Sequence, residues 1–271
     1  VGANPLTAAI DEGMPLVVLS PHLDDAVLSC GALLAHASSR VPVTVATFFT
    51  EAGPPPYTLA ARRHLRLLGF SDARQLYRAR RAEDQAVLER LGAAWRHLGL
   101  TDGLFRRKPR SSAKGPRRRR LLTERDHIYP TYRLHLLSGR ISAYDAGTLR
   151  QATEAIAALA RERPVLLLAP SGVGGHVDHV LVRTAAERSR QPVVYYSDFP
   201  YNQQGGLDPD FARRNALSET TWQRDLTAKP ALVRAYRTQV DALFPGGGIP
   251  LIPETYLVAS TSPGASREEP R

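Results

Sequence analysis

The feature that most restricts this chain is a repeated unit: a short apolar run, a turn, then a stretch with helical spacing of its apolar residues. Residues 15–20 (PLVVLS), 41–49 (VPVTVATFF), 164–169 (PVLLLA) and 192–197 (PVVYYS) are aliphatic, β-branched or aromatic and bounded by turn formers, the pattern of strands buried on both faces. Residues 26–38, 58–68, 148–163, 179–188 and 230–243 read as helices. Residues 81–98 read as a longer amphipathic helix, with Val87, Leu88, Leu91, Ala94, Trp95 and Leu98 on one side. Strands that alternate with helices predict an α/β fold, a Rossmann-like, mostly parallel sheet with helices on both faces. In such sheets, sites lie beyond the carboxyl ends of the strands. At 271 residues, a single domain over 1–271 is the expectation.

Charge and cysteine content narrow the chemistry. The one cysteine, Cys30, excludes an intrachain disulfide and a cysteine-rich metal site, so any metal must be held by His and carboxylates. A chain without disulfides suits the cytoplasm, and neither a membrane-length apolar run nor a basic-then-apolar leader is visible. Cys30 follows an apolar run, where a buried thiol is expected rather than a nucleophile. The net charge of +10 is concentrated in residues 106–120, where Arg106, Arg107, Lys108, Arg110, Lys114 and Arg117 through Arg120 occur without an acid. Ser, Pro and Gly break up this run, so it reads as a solvated loop insertion rather than a nucleic-acid-binding surface.

Two segments carry the chemistry, each directly after a predicted strand. The first is Ser20-Pro21-His22-Leu23-Asp24-Asp25-Ala26. His22 and Asp25 are three apart and can point the same way in a turn entering a helix, leaving Asp24 to point elsewhere. Adjacent aspartates repel and resist burial unless a cation stands beside them, and a divalent metal is the simplest one. Helix capping would explain one of the two aspartates, but not both together with a histidine. The second segment, residues 169–180, holds Gly172, Gly174 and Gly175 and then His176-Val177-Asp178-His179. Together the segments offer two histidines and a carboxylate with room for water, the ligand count of catalytic zinc.

This pair of segments resembles the LmbE/PIG-L family of zinc-dependent N-acetylglucosaminyl deacetylases, whose signatures read Pro-His-Pro-Asp-Asp-Glu and His-x-Asp-His. Here they stand as Pro21-His22-Leu23-Asp24-Asp25-Ala26 and His176-Val177-Asp178-His179. The resemblance implies that His22, Asp25 and His179 bind Zn2+ or another divalent transition metal, and that Asp24 is the general base. It further implies that His176, charged and oriented by Asp178, stabilises the oxyanion and helps protonate the amine. The Arg80-Arg81-Ala82-Glu83 stretch, placed at a helix start, and Tyr236-x-x-Gln239 also look familiar. By the same analogy Arg80 or Arg81 would hold a substrate hydroxyl or phosphate. Asp198, in the strand-end stretch from Tyr195 to Tyr201, would contact substrate. The chain departs from the family at Leu23 and Ala26, and at Gly174, where some relatives carry a tyrosine; Tyr195, Tyr196 and Tyr201 are the alternatives.

The implied partner is an N-acetylated amino sugar or glycoconjugate. The same site would serve an amidase of a thiol or antibiotic conjugate. A magnesium phosphotransfer protein would use Asp24 and Asp25 without needing His179, and a nucleic-acid-binding protein would work through residues 106–120.

Overall fold

The computed structural model describes residues 4–109, 123–161 and 163–259. Seven strands form one sheet: β1 (Leu16–Ser20), β2 (Val43–Glu51), β3 (Ala94–Thr101), β4 (Leu166–Pro170), β5 (Val193–Tyr196), β6 (Leu217–Trp222) and β7 (Glu254–Ala259). Their spatial order is β3-β2-β1-β4-β5-β7-β6. The first five are parallel, whereas β7 pairs antiparallel with both β5 and β6. The helices are α1 (Pro5–Asp11), α2 (Asp25–Ala37), α3 (Leu59–Leu67), α4 (Ala73–Leu91), α5 (Ala146–Leu159), α6 (Val177–Arg188), α7 (Pro209–Arg214), α8 (Lys229–Val233) and α9 (Val240–Leu243).

Strand periodicity divides the core between the two faces. Leu16 and Val18 of β1, Val43 and Val45 of β2, and Tyr196 of β5 pack with α2, with Val87 and Leu88 of α4, and with α8. Val17, Leu19, Phe48 and Tyr195 point the other way, onto Leu149 and Ile156 of α5, Leu181 and Val182 of α6, and Phe211 of α7. The sheet therefore carries helices on both faces, as the alternation predicts. A third cluster, including Leu23, Leu65, Leu76, Tyr77, Leu104, Phe105, Ile128 and Leu136, lies over the end of the sheet where the chain leaves β1. It joins α3, the start of α4, Leu104 and Phe105, and residues 128–136 into a cover.

Two predicted elements take another form, and two further strands were not predicted. The helix expected over 81–98 is two elements, because Gly92 caps α4 in the left-handed region at φ 72°. The following Ala94, Trp95 and Leu98 belong to the edge strand β3, with Trp95 packed to one face and Leu98 to the other. Arg80 to Glu83 consequently lie in the interior of α4, which starts at Ala73 behind its Asp72 cap. The helix expected over 230–243 breaks into α8 and α9. Its middle is tied to α4 instead: Tyr236 donates to Asp84 at 2.8 Å and the Thr238 hydroxyl to Glu83 at 2.7 Å. Finally, the antiparallel pair β6 and β7 lies outside the expected strands, since most of β6 (LSETTW) is polar.

Cys30 is fully buried in the core. Among the described residues no helix is long and apolar enough to cross a membrane. Most of the basic run and the tail from Thr261 lie outside the described residues.

Candidate active site

β1 and β4 are neighbours, but the chain leaves them toward opposite edges of the sheet, so their carboxyl ends frame the crevice where ligands of such sheets bind. Both histidine-bearing turns start there. In the first, the Ser20 hydroxyl accepts the Ala26 N–H at 3.0 Å and so caps α2, while donating to the His22 carbonyl at 2.7 Å. Asp25 folds back, its Oδ2 accepting the His22 N–H at 2.8 Å. Asp24 occupies the N-cap position, yet its side chain caps nothing. Capping therefore accounts for neither aspartate side chain in the expected way. In the second turn, His176 is the N-cap of α6 and its Nδ1 accepts the Asp178 N–H at 3.2 Å.

These turns bring His22, Asp24, Asp25, His176 and His179 to a cavity of about 320 Å³ that Arg80, His64, Asp102, Tyr132 and Tyr201 also line. Asp25 Oδ2 stands 3.0 Å from His22 Nδ1 and 3.2 Å from His179 Nε2. The ring nitrogens of His22, His176 and His179 come within 4.8 Å of one another, as do donor atoms of His22, Asp102 and Asp178.

Hydrogen bonds decide what these atoms can do. His179 Nδ1 is 2.7 Å from Asp198 Oδ1 and carries the proton of that bond, which leaves the Nε2 lone pair facing the Asp25 carboxylate. Two lone pairs at that distance require a cation between them. Without a metal a proton serves: burial opposes charge on His179, but Asp25 and Asp198 overcome it and hold its pKa at about 10. His22 is in the same position, with Asp25 at Nδ1 and Asp178 at Nε2. Burial again opposes charge, and the carboxylate bonds raise its pKa well above the usual histidine value. Five aspartates around three imidazoles thus form a donor set that demands positive charge, as a divalent metal site does.

His176 differs. Burial, and then the charge on His22, hold its pKa down to about 3, so it is neutral rather than charged as the resemblance implied. Because Nδ1 accepts from Asp178 N–H, Nε2 bears the proton and is a donor into the cavity. Asp178 orients His176 through its backbone. Its carboxylate instead pairs with Arg106 at 2.6 Å, accepts the Gly103 N–H at 2.8 Å and contacts His22 Nε2 at 3.2 Å. A Cβ at Gly103 would stand 3.1 Å from Asp178 Oδ1 and 3.2 Å from Oδ2, so the close approach of this backbone to the carboxylate favours glycine.

Asp24 is the exception among the carboxylates, with no hydrogen bond or ion pair among the described residues. Burial and the adjacent Asp25 push its pKa up to about 7. Arg80, 7% exposed, likewise has no hydrogen bond or ion pair among the described residues, and its guanidinium lies 5.6 Å from the centre of the Tyr77 ring. Arg81 turns away from the cavity and donates to the Thr50 carbonyl and to Glu51 at 2.6 and 2.7 Å. Asp198 is also not a cavity residue. It is 1% exposed and stands behind His179, its second oxygen bound to Ser171 Oγ and Val173 N–H.

The chain is similar to known proteins over most of its length. Residues 17–189 match the family model described as PIG-L, GlcNAc-PI de-N-acetylase. The chain belongs to this family. It is 30% identical over 208 residues to 2'-N-acetylparomamine deacetylase of Streptomyces fradiae, a match covering 74% of this chain but only 62% of that relative's length. Among solved structures, the zinc-inhibited form of the teicoplanin deacetylase Orf2 superposes with a TM-score of 0.68 at 27% identity, covering 91% of this chain and 99% of that one. The A40926 pseudoaglycone deacetylase Dbv21 gives 0.63 at 25% identity, covering 92% and 99%. The α/β sheet described above is thus the fold of these deacetylases.

Within this PIG-L domain, several residues of the site escaped the sequence reading. Arg106, counted there as the start of a solvated basic loop, is 5% exposed and ion-paired to both Asp178 and Asp145, the latter at 2.8 Å. Asp102 accepts from Tyr77 OH and from Leu104 N–H and lies 3.5 Å from His22 Nε2. Their one signal was Asp102-Gly103 closing a run that proved to be a strand. Of the three candidate tyrosines, Tyr195 packs in the core and Tyr196 donates to the Leu19 carbonyl. Tyr201 lines the cavity and occupies the space beside Gly174, where a Cβ would stand 3.2 Å from that of Tyr201.

Proposed function

We propose that this protein is a zinc-dependent hydrolase that removes the acetyl group from the amine of an N-acetylglucosamine-type sugar carried on a specialised-metabolite glycoconjugate. The observation that carries this reading is the Asp25 oxygen held between two imidazoles, beside an Asp24 carboxylate that has no partner. The deacetylases of teicoplanin, A40926 pseudoaglycone and acetylparomamine supply the substrate class.

Distance alone groups the three histidines, or His22 with Asp102 and Asp178, while Asp25 Oδ2 stands 3.0 Å from His22 Nδ1 and 3.2 Å from His179 Nε2. Chemistry favours His22, Asp25 and His179, because the Nε2 of His176 carries a proton and offers no lone pair, and the Asp178 carboxylate is already paired with Arg106. Held by these residues, zinc would supply Lewis acidity to the amide carbonyl and to a water. Asp24, the site carboxylate with no hydrogen bond or ion pair among the described residues, takes the proton of that water. His176 Nε2–H donates to the oxyanion as the carbonyl carbon becomes tetrahedral, with the Tyr201 hydroxyl as a second donor. As the C–N bond breaks, Asp24 returns its proton to the departing amine, leaving acetate and a free amino sugar. Arg80, a buried cation facing the cavity, orients the substrate through one of its oxygens. The reaction runs in the cytoplasm, a location that suits a chain whose single cysteine is a buried thiol.

Acetate release from N-acetylglucosaminides tests this directly. Activity should disappear on chelation and return with one equivalent of zinc, excess being avoided because zinc inhibits the teicoplanin relative. A correctly folded, zinc-loaded protein that leaves every N-acetyl sugar intact would refute the reading.

A further inference from the structure

The catalytic cavity shares His64 and Tyr132 with a second, larger groove of about 820 Å³ along α3. At about 320 Å³ the cavity is near the lower end of small-molecule sites, sized for one sugar with its acetamide, and a conjugate must extend beyond it. The groove is the continuation the structure offers. Leu59 and Leu67, both lining it, are 68% and 75% exposed, on a short helix that otherwise presents arginines to solvent. With Tyr132, 41% exposed, these leucines give the groove an apolar wall that is continuous with the catalytic mouth. Arg63 and Arg133 line the same groove, and neither has an ion pair among the described residues. The acid there, Glu124, already accepts the Leu59 N–H at 3.1 Å.

We propose that this groove binds the non-sugar part of the substrate, an apolar group of aromatic size bearing an anionic substituent, and thereby selects against polycationic amino sugars. The inference rests on the deacetylase reading. Apolar walls would bury the hydrophobic body of the aglycone, and the two guanidinium groups would pair with its carboxylate. The same two cations would repel a substrate carrying several ammonium groups.

The test uses three glycosides of N-acetylglucosamine that differ only in the aglycone: methyl, carboxybiphenyl and aminomethylbiphenyl. Acetate release and calorimetric binding are measured for each. The carboxybiphenyl glycoside should exceed the methyl glycoside in kcat/KM by about tenfold or more, chiefly through KM. It should also exceed its cationic counterpart. Leu67→Asp should bring the aryl-to-methyl ratio toward one, and the Arg63→Glu/Arg133→Glu pair should invert the order of the two charged aglycones, with unchanged melting temperatures because these side chains are exposed. Equal kcat/KM for methyl and carboxybiphenyl glycosides, or ratios untouched by the substitutions, would overturn the proposal. If no glycoside is hydrolysed, the deacetylase reading fails, and binding decides the groove on its own: the same ranking of affinities supports it and equal affinities refute it. Adsorption to anionic phospholipid vesicles, lost in the same variants and without any glycoside preference, would assign the groove to a membrane surface instead.

Discussion

The two turns that deliver the histidines are built on different principles. The turn after β1 is shaped mainly by local bonds, in which Ser20, His22, Asp25 and Ala26 satisfy one another within seven residues, with Phe49 and Gln239 supporting its backbone at Pro21 and Leu23. The turn after β4 is held from outside. His179 is fixed by Asp198, 19 residues later, and Asp178 by Arg106, 72 residues earlier. A local turn can aim a ligand from sequence alone, whereas the second depends on the sheet order that brings the end of β5 and the segment after β3 alongside. The cost of breaking each should differ accordingly.

Breaking the chemistry of the first turn should have the largest effect. Asp24→Asn removes the one free carboxylate of the site, and kcat should fall between about 10²- and 10⁴-fold while zinc content is unchanged. Steady-state kinetics with metal analysis reads this, and a loss accompanied by loss of zinc would make Asp24 a ligand rather than the base. Breaking the support of the second turn should appear in stability. Arg106→Met leaves the buried Asp178 carboxylate without its cation and should cost about 3–5 kcal/mol in chemical denaturation. A near-neutral result would mean that Gly103 and His22 satisfy Asp178 unaided.

The turns should also separate with pH. Asp24 has a folded pKa of about 7, above the ordinary 3.8, so the metal-free fold binds its proton more tightly than the unfolded chain does. Stability from this group is complete below about pH 3.8 and is lost as pH rises through 7. Metal-free Asp24→Asn should therefore gain on the unsubstituted protein by about 2–4 kcal/mol at pH 8 and by little at pH 4. Equal stability at both pH values would contradict the origin assigned to the shift. The smallest effect is expected at the edge of the second turn, where Asp198→Asn weakens the hold on His179 and should reduce zinc affinity by about 10–100-fold. Equilibrium dialysis against a zinc indicator measures it; unchanged affinity would show that packing alone orients His179.

The same contrast explains what could be read from the sequence. Four of the five parallel strands and most of their helices were legible because apolar runs and helical spacing are local signals. So was the proximity of His22 to Asp25. The boundary at Gly92 was not, because Ala94, Trp95 and Leu98 keep helical spacing across it and only the left-handed cap turns them into a strand. Arg106 was misread for a related reason. Its neighbours in sequence are solvated charges, while its neighbours in space are Asp145, Asp178 and the Phe49 ring, 5.0 Å from the guanidinium. Asp198 looked like a pocket residue because it follows a strand, but its lone pairs are all directed at His179, Ser171 and Val173.

The central claim is that His179 gives a lone pair to the metal and His176 does not. Zinc stoichiometry and affinity in His179→Ala and His176→Ala decide it. We predict one tightly bound zinc per chain in His176→Ala, with activity lost, and no stable zinc in His179→Ala; zinc lost from His176→Ala and kept in His179→Ala would contradict the account.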